Sequence, residues 1–254
     1  MCKRKCLSAA FLALLLFLTG GVLAEELTGD EIMDRVDDNQ FIASGRLETE
    51  MIVIERGRER IMEMINYVES DGEVTNALVE FINPRDRGTK YLLRDGELRM
   101  YFPEAEELIR ISGHLLEDDM MGSDFSYQDA LESEQLTELY RFEKEKREEI
   151  DGRDVYVIRG EAREGEDPAY RERRFWVDVE RFVVLREEMY ARDGQLLRVM
   201  RTEEVKEVQE GRWMPVEMVM ENELRVDSKT IYRINKIELD YDIPENKLSL
   251  EALE

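Results

Sequence analysis

The chain has 254 residues, with 60 Asp and Glu against 36 Lys and Arg and a formal net charge of −24. So acidic a surface excludes ordinary binding to a phosphate backbone, which needs a basic face. It also argues against permanent residence on an anionic bilayer, leaving only transient membrane contact.

In chain order, Lys3, Arg4 and Lys5 form a basic start, Leu7 to Leu18 an apolar run, and Val22-Leu23-Ala24 a small-residue cleavage site. This pattern predicts a secretory signal peptide over residues 1–24, cut after Ala24. The apolar run is short for a membrane span, and Thr19-Gly20-Gly21 weakens its end. Cys2 and Cys6 leave with the signal, so the mature chain is expected to hold no thiol, and no Cys at the cleavage site invites lipidation. Loss of Lys3, Arg4 and Lys5 lowers the net charge from −24 to −27. No Ser/Gly/Pro-rich linker or internal repeat divides residues 25–254, which are read as one domain.

Thr28-Gly29-Asp30-Glu31 is a capping box, and Ile32, Met33 and Val36 share one side of the short helix it opens. From Arg46 the pattern changes to period two. Leu47, Thr49, Met51 and Val53 alternate with Arg46, Glu48 and Glu50, which predicts a half-buried strand. Gly57 turns the chain, Ile61 to Glu69 returns, and Ala77, Val79 and Phe81 share a face of the next strand. Asp-Gly pairs at 71–72, 95–96, 151–152 and 193–194 predict hairpins between sequential strands. A strand over Leu108 to Ser112 gives way to an irregular stretch, Gly113 to Asp124. Ser126-Tyr127-Gln128-Asp129 then opens a second short helix with a capping box. Further strands are predicted over Leu136 to Lys146, Asp154 to Glu161, Arg171 to Asp178, Val183 to Ala191, Leu196 to Val208, Trp213 to Leu224 and Lys229 to Tyr241. Leu248 to Glu254 ends the chain in a helical turn. The fold class is therefore mainly β: about a dozen antiparallel strands that must twist strongly or curl toward a barrel.

Catalytic patterns are absent. There is one histidine, His114, in the irregular loop, and it reads as a solvated side chain. No nucleophile elbow, phosphate loop or dinucleotide glycine pattern occurs, and no cofactor is called for. Asp118, Asp119 and Asp124 lack EF-hand spacing and read as a solvated turn rather than a cation site. Methionine stands out instead, with thirteen in the chain. Met suits surfaces that accept varied apolar shapes. Any one of them reads as core filling. Together, on a curled sheet with sparse helical cover, they point to an apolar cavity. Its candidate lining is Met51, Val53, Leu98, Met100, Phe102, Met120, Met121, Phe125, Met218 and Met220.

The run PRDRGTKYLLRDGELRMYFPEAEELIRIS (84–112), then MMGSDFSYQDAL (120–131), resembles the outer-membrane lipoprotein-sorting-like proteins of the LolA superfamily. Asp151-Gly152-Arg153 before Val155-Tyr156-Val157-Ile158, Phe175-Trp176-Val177-Asp178, and Gly211-Arg212-Trp213-Met214-Pro215 extend the resemblance over nearly the whole mature chain. It implies an unclosed antiparallel β-barrel with a few helices covering its concave face. It implies a periplasmic carrier, not an enzyme, whose cavity holds lipid acyl chains or the lipid moiety of lipoproteins. It also implies an inner-membrane lipid exporter of the RND type as partner. A sensor or interaction module using the same half-barrel to bind a protein is the second reading.

Overall fold

The computed structural model describes residues 26–133 and 135–253. The expected signal peptide lies outside the described residues. Helix α1 (Gly29–Gln40) begins with the predicted box: the Glu31 amide donates to the Thr28 hydroxyl at 3.2 Å, and the Thr28 amide donates to the Glu31 carboxylate at 2.8 Å. Six strands follow: β1 (Ser44–Glu55), β2 (Arg58–Ser70), β3 (Thr75–Phe81), β4 (Lys90–Arg94), β5 (Glu97–Phe102) and β6 (Glu107–Ile111). After an irregular segment come α2 (Tyr127–Glu132) and the one-turn α3 (Leu136–Leu139). Seven more strands complete the chain: β7 (Tyr140–Ile150), β8 (Arg153–Ala162), β9 (Glu172–Asp178), β10 (Val184–Tyr190), β11 (Leu196–Gln209), β12 (Arg212–Asn222) and β13 (Ser228–Leu239).

All thirteen belong to one antiparallel sheet, ordered β6-β5-β4-β3-β2-β1-β13-β12-β11-β10-β9-β8-β7. Two meanders, β1–β6 and β7–β13, meet where β1 pairs with β13. The terminal strands β6 and β7 do not pair with each other, so the barrel is unclosed. Between these two open edges, residues 113–132 cross the concave side. Turn chemistry sets the register. Arg56-Gly57 (φ 49°, 73°), Asp95-Gly96 (52°, 73°) and Asp151-Gly152 (50°, 77°) all place two consecutive residues at positive φ. That backbone matches the right-handed twist of the flanking strands.

One predicted strand begins late. Leu136 to Leu139 form a helical turn, not the start of a strand, because Leu136 and Leu139 lie three residues apart and both pack against the cluster under α1. That cluster joins Ile32, Met33 and Val36 to Tyr140, Phe142 and Phe175 on the inner face of β7–β9. Gly29 permits the close docking, since a Cβ there would sit 2.5 Å from the Phe142 carbonyl oxygen. On the convex side the C-terminal segment packs Leu253 against Tyr67, Leu78 and Leu92, and Arg94 donates to the Leu248 carbonyl at 2.8 Å. One end of the concave face is therefore closed by α1, and the rest is left to the 113–132 segment.

Candidate functional site

Period-two alternation puts Met51 and Val53 of β1, Met62 and Met64 of β2, and Leu98, Met100 and Phe102 of β5 on the concave face. Register then brings them side by side. Met51 lies opposite Met62 on one flank and Tyr232 on the other, and Tyr232 lies opposite Met218. Met100 lies between Tyr91 and Ile109, and Met220 opposite Met200. Seven predicted lining residues, Met51, Val53, Leu98, Met100, Phe102, Met120 and Met121, share one apolar cluster. Phe125 and Met220 sit instead in a second cluster with Met189, Met200 and Tyr170, nearer the middle of the sheet. Met218, half-buried on the same face, lies between the two.

Residues 113–132 cover this lining as a plug. Two 3-10 turns, Gly113–Glu117 and Met120–Gly122, precede α2. Met121 (φ 52°) and Gly122 (φ 70°) are consecutive left-handed residues, a backbone that disfavours the methionine. Arg60 of β2 donates to the Met121 carbonyl and so holds the bend. The Ser126–Asp129 capping box forms as predicted: the Asp129 amide donates to the Ser126 hydroxyl at 3.1 Å, and the Ser126 amide to the Asp129 carboxylate at 2.7 Å. It directs Phe125 onto Tyr232, with ring centroids 6.5 Å apart. Tyr127 points the other way, its hydroxyl 3.2 Å from that of Tyr91 and 3.8 Å from the Met100 sulfur. Side chains of the plug thus fill the space expected as a cavity. Two hollows, of about 290 and about 540 Å3, lie elsewhere along β11–β13 and beside the β1–β2 turn, lined by other residues.

The plug is also fastened by charge, which the sequence reading did not find. Asp129 pairs with Arg198 and accepts from the Tyr170 hydroxyl at 2.8 Å. Glu132 lies 3.5 Å from Arg173, accepts from Gln128 at 2.7 Å and from the Ala169 amide at 2.8 Å. Arg173 reaches Glu187 of β10 at 3.0 Å and lies over the rings of Tyr140 and Tyr170. Burial pushes the carboxyls of Glu187 and Glu132 above the usual carboxylate range, while Arg173 opposes the shift. The expected solvated acidic turn is corrected in part. Asp119 pairs with Arg225, and Asp124 is fully buried, accepting from the hydroxyls of Ser228 and Thr230 at 2.8 Å each. Conversely, His114 is exposed, as expected. Among the described residues, no group of three or more His, Cys, Asp or Glu is placed to hold a metal. No described helix is long and apolar enough to cross a membrane.

A curled, unclosed antiparallel sheet with a plugged concave face defines a class of fold. The model of a family described as "Uncharacterized protein" matches residues 73–254, so the chain belongs to that family. No curated protein matches. A DUF1329 family protein from Desulfovibrio piger is similar in structure, with a TM-score of 0.82, 22% identity, and coverage of 89% of this chain and 98% of its own. A putative outer membrane lipoprotein-sorting protein domain from Vibrio parahaemolyticus gives 0.77 at 24% identity, covering 89% and 97%. A LolA superfamily protein from Nitrosomonas europaea gives 0.73 at 20% identity, covering 89% and 100%. At these identities the likeness is one of fold, which the chain shares with all three structures over 89% of its length.

Proposed function

We propose that the mature chain, residues 25–254, is a periplasmic carrier that binds the acyl chains of a lipid or lipoprotein on its concave face and moves them without chemistry. The carrying observation is the continuous inward-facing apolar lining, from Leu98, Met100 and Phe102 through Met51 and Val53 to Met220, covered by a single segment. Each methylene moved from water onto such a surface contributes about 0.8 kcal/mol. The plug is then a lid. Met120, Met121 and Tyr127 stand where the chains would lie, and the left-handed pair Met121-Gly122 is its joint. An inner-membrane lipid exporter of the RND type is the partner this reading implies, with membrane contact only in passing. The test is extraction and mass spectrometry of the mature protein purified without detergent. Stoichiometric lipid supports the carrier. A lipid-free protein that retains a membrane protein through purification would favour the interaction module instead.

A further inference from the structure

Opposite charges are segregated between the plug and the sheet it covers. The cations are Arg60 of β2, Arg173 of β9, Arg198 of β11 and Arg225 in the β12–β13 hairpin. On the plug, Asp119, Asp124, Asp129 and Glu132 face Arg173, Arg198 and Arg225, and the Met121 carbonyl faces Arg60; Glu187 of β10 also holds Arg173 from within the sheet. Convex-side arginines behave differently. Arg46 pairs with Glu48 and Glu238, and Arg233 with Glu50 and Glu217, all carried by the sheet itself. Those pairs survive any movement of the plug. On the concave side Arg198 and Arg225 lose every carboxylate partner when the plug leaves, Arg173 loses one of two, and Arg60 loses its carbonyl.

We propose that the ligand of the concave face is an amphiphile with an anionic headgroup, a phosphate or a carboxylate, which takes over the arginines that the plug's carboxylates now occupy. This rests on the carrier reading and specifies its substrate class. A neutral chain that displaced the plug would strand Arg198, whose side chain is only 11% exposed, without a counter-charge. Leaving one member of a buried pair uncompensated is strongly unfavourable. An anionic headgroup removes that cost, and the planar fork of arginine suits both phosphate and carboxylate oxygens. A second observation points the same way. Arg173 is 4% exposed, and its Nε has no hydrogen-bond partner even with Glu132 and Glu187 in place, so a buried donor is left over at the floor of the site. In free protein the plug supplies the anions itself and competes with the ligand.

The test uses the delipidated mature chain and three amphiphiles that share a palmitoyl chain: palmitate, palmitoyl lysophosphatidic acid and monopalmitoylglycerol, each titrated calorimetrically below its micelle concentration. At least one anion is expected to bind about tenfold tighter than the neutral glyceride or more, and which anion does so separates carboxylate from phosphate. Arg198→Gln should abolish the preference. Asp119→Asn, which weakens the plug's hold on Arg225 and Arg198, should tighten binding of the same anion. Should Arg198→Gln not fold, Arg225→Gln on the rim hairpin carries the same expectation. Equal affinity for the glyceride and both anions, or a preference that survives the arginine variants, overturns the proposal while the carrier stands. Failure of all three to bind overturns the carrier reading itself.

Discussion

Replacing Arg173 by methionine removes the central cation of the concave face while keeping its length. Arg173 stands between Gly160 of β8 and Met189 of β10 in the sheet register and is 4% exposed. Its loss leaves Glu187, 3.0 Å away, and Glu132, 3.5 Å away, buried without a counter-charge. Breaking a buried pair in this way costs about 3–5 kcal/mol, a large part of the roughly 5–15 kcal/mol that holds a domain folded. The deficit should depend on pH. Both carboxyls already lie above their ordinary value of 4.5 because of burial, and loss of the arginine raises them further. A raised carboxyl costs most above its folded pKa and nothing below its unfolded one, so the deficit is larger at about pH 7 than at about pH 4.5. Urea unfolding followed by circular dichroism at both pH values measures it. Adding Glu132→Gln and Glu187→Gln should restore most of the stability. A loss below about 1 kcal/mol near neutrality, or a deficit indifferent to pH, would refute the reasoning.

Other expectations follow from the same geometry. Met100→Arg places a charge against Tyr91 and Ile109 on the lining and should cut co-purifying lipid severalfold, with the sheet intact by circular dichroism; unchanged occupancy in a folded variant counts against lipid on that face. Asp37, near the end of α1, is pushed up to about 6 by burial and by repulsion from Asp34 and Asp38, against a hydrogen bond from Thr137. Its unfolded form ionises first, so it withdraws stability as pH rises from about 4 to about 6. Asp37→Asn should therefore raise Tm by a few degrees at about pH 7 and not at about pH 3.5; an equal shift at both would contradict the assignment. Spin labels at the exposed Glu117 and Asp95 should move apart when lipid is added, and an unchanged distance distribution would make the plug static.

Most of the strand order was legible because the turns state it: an Asp-Gly or Arg-Gly pair at positive φ fixes both the chain reversal and the register of its flanks. Period two put Met51 and Val53 on one face of β1 and Leu98, Met100 and Phe102 on one face of β5, and these residues meet in one apolar cluster. Both capping boxes were legible for a local reason, since donor and acceptor lie three residues apart. What escaped was non-local. Asp129 and Arg198 are 69 residues apart, and Asp124 meets Thr230 across 106. A weaker signal did exist. Arg173 shares the period-two face of Phe175 and Val177, Glu187 that of Met189, and Arg198 that of Met200. A charge on an otherwise apolar face marks a buried partner to be found. Leu136 to Leu139 misled because one turn of helix and the first residues of a strand place apolar side chains almost equally well.

The central claim, that acyl chains lie on the concave face, is tested most directly by position-specific photo-crosslinking in cells. A photoreactive side chain at Met100 faces the lining, whereas one at the neighbouring Arg99 faces the convex side of the same strand. Lipid crosslinked to position 100 and not to position 99 is the predicted result. Equal labelling of both positions, or lipid captured only at 99, would contradict it.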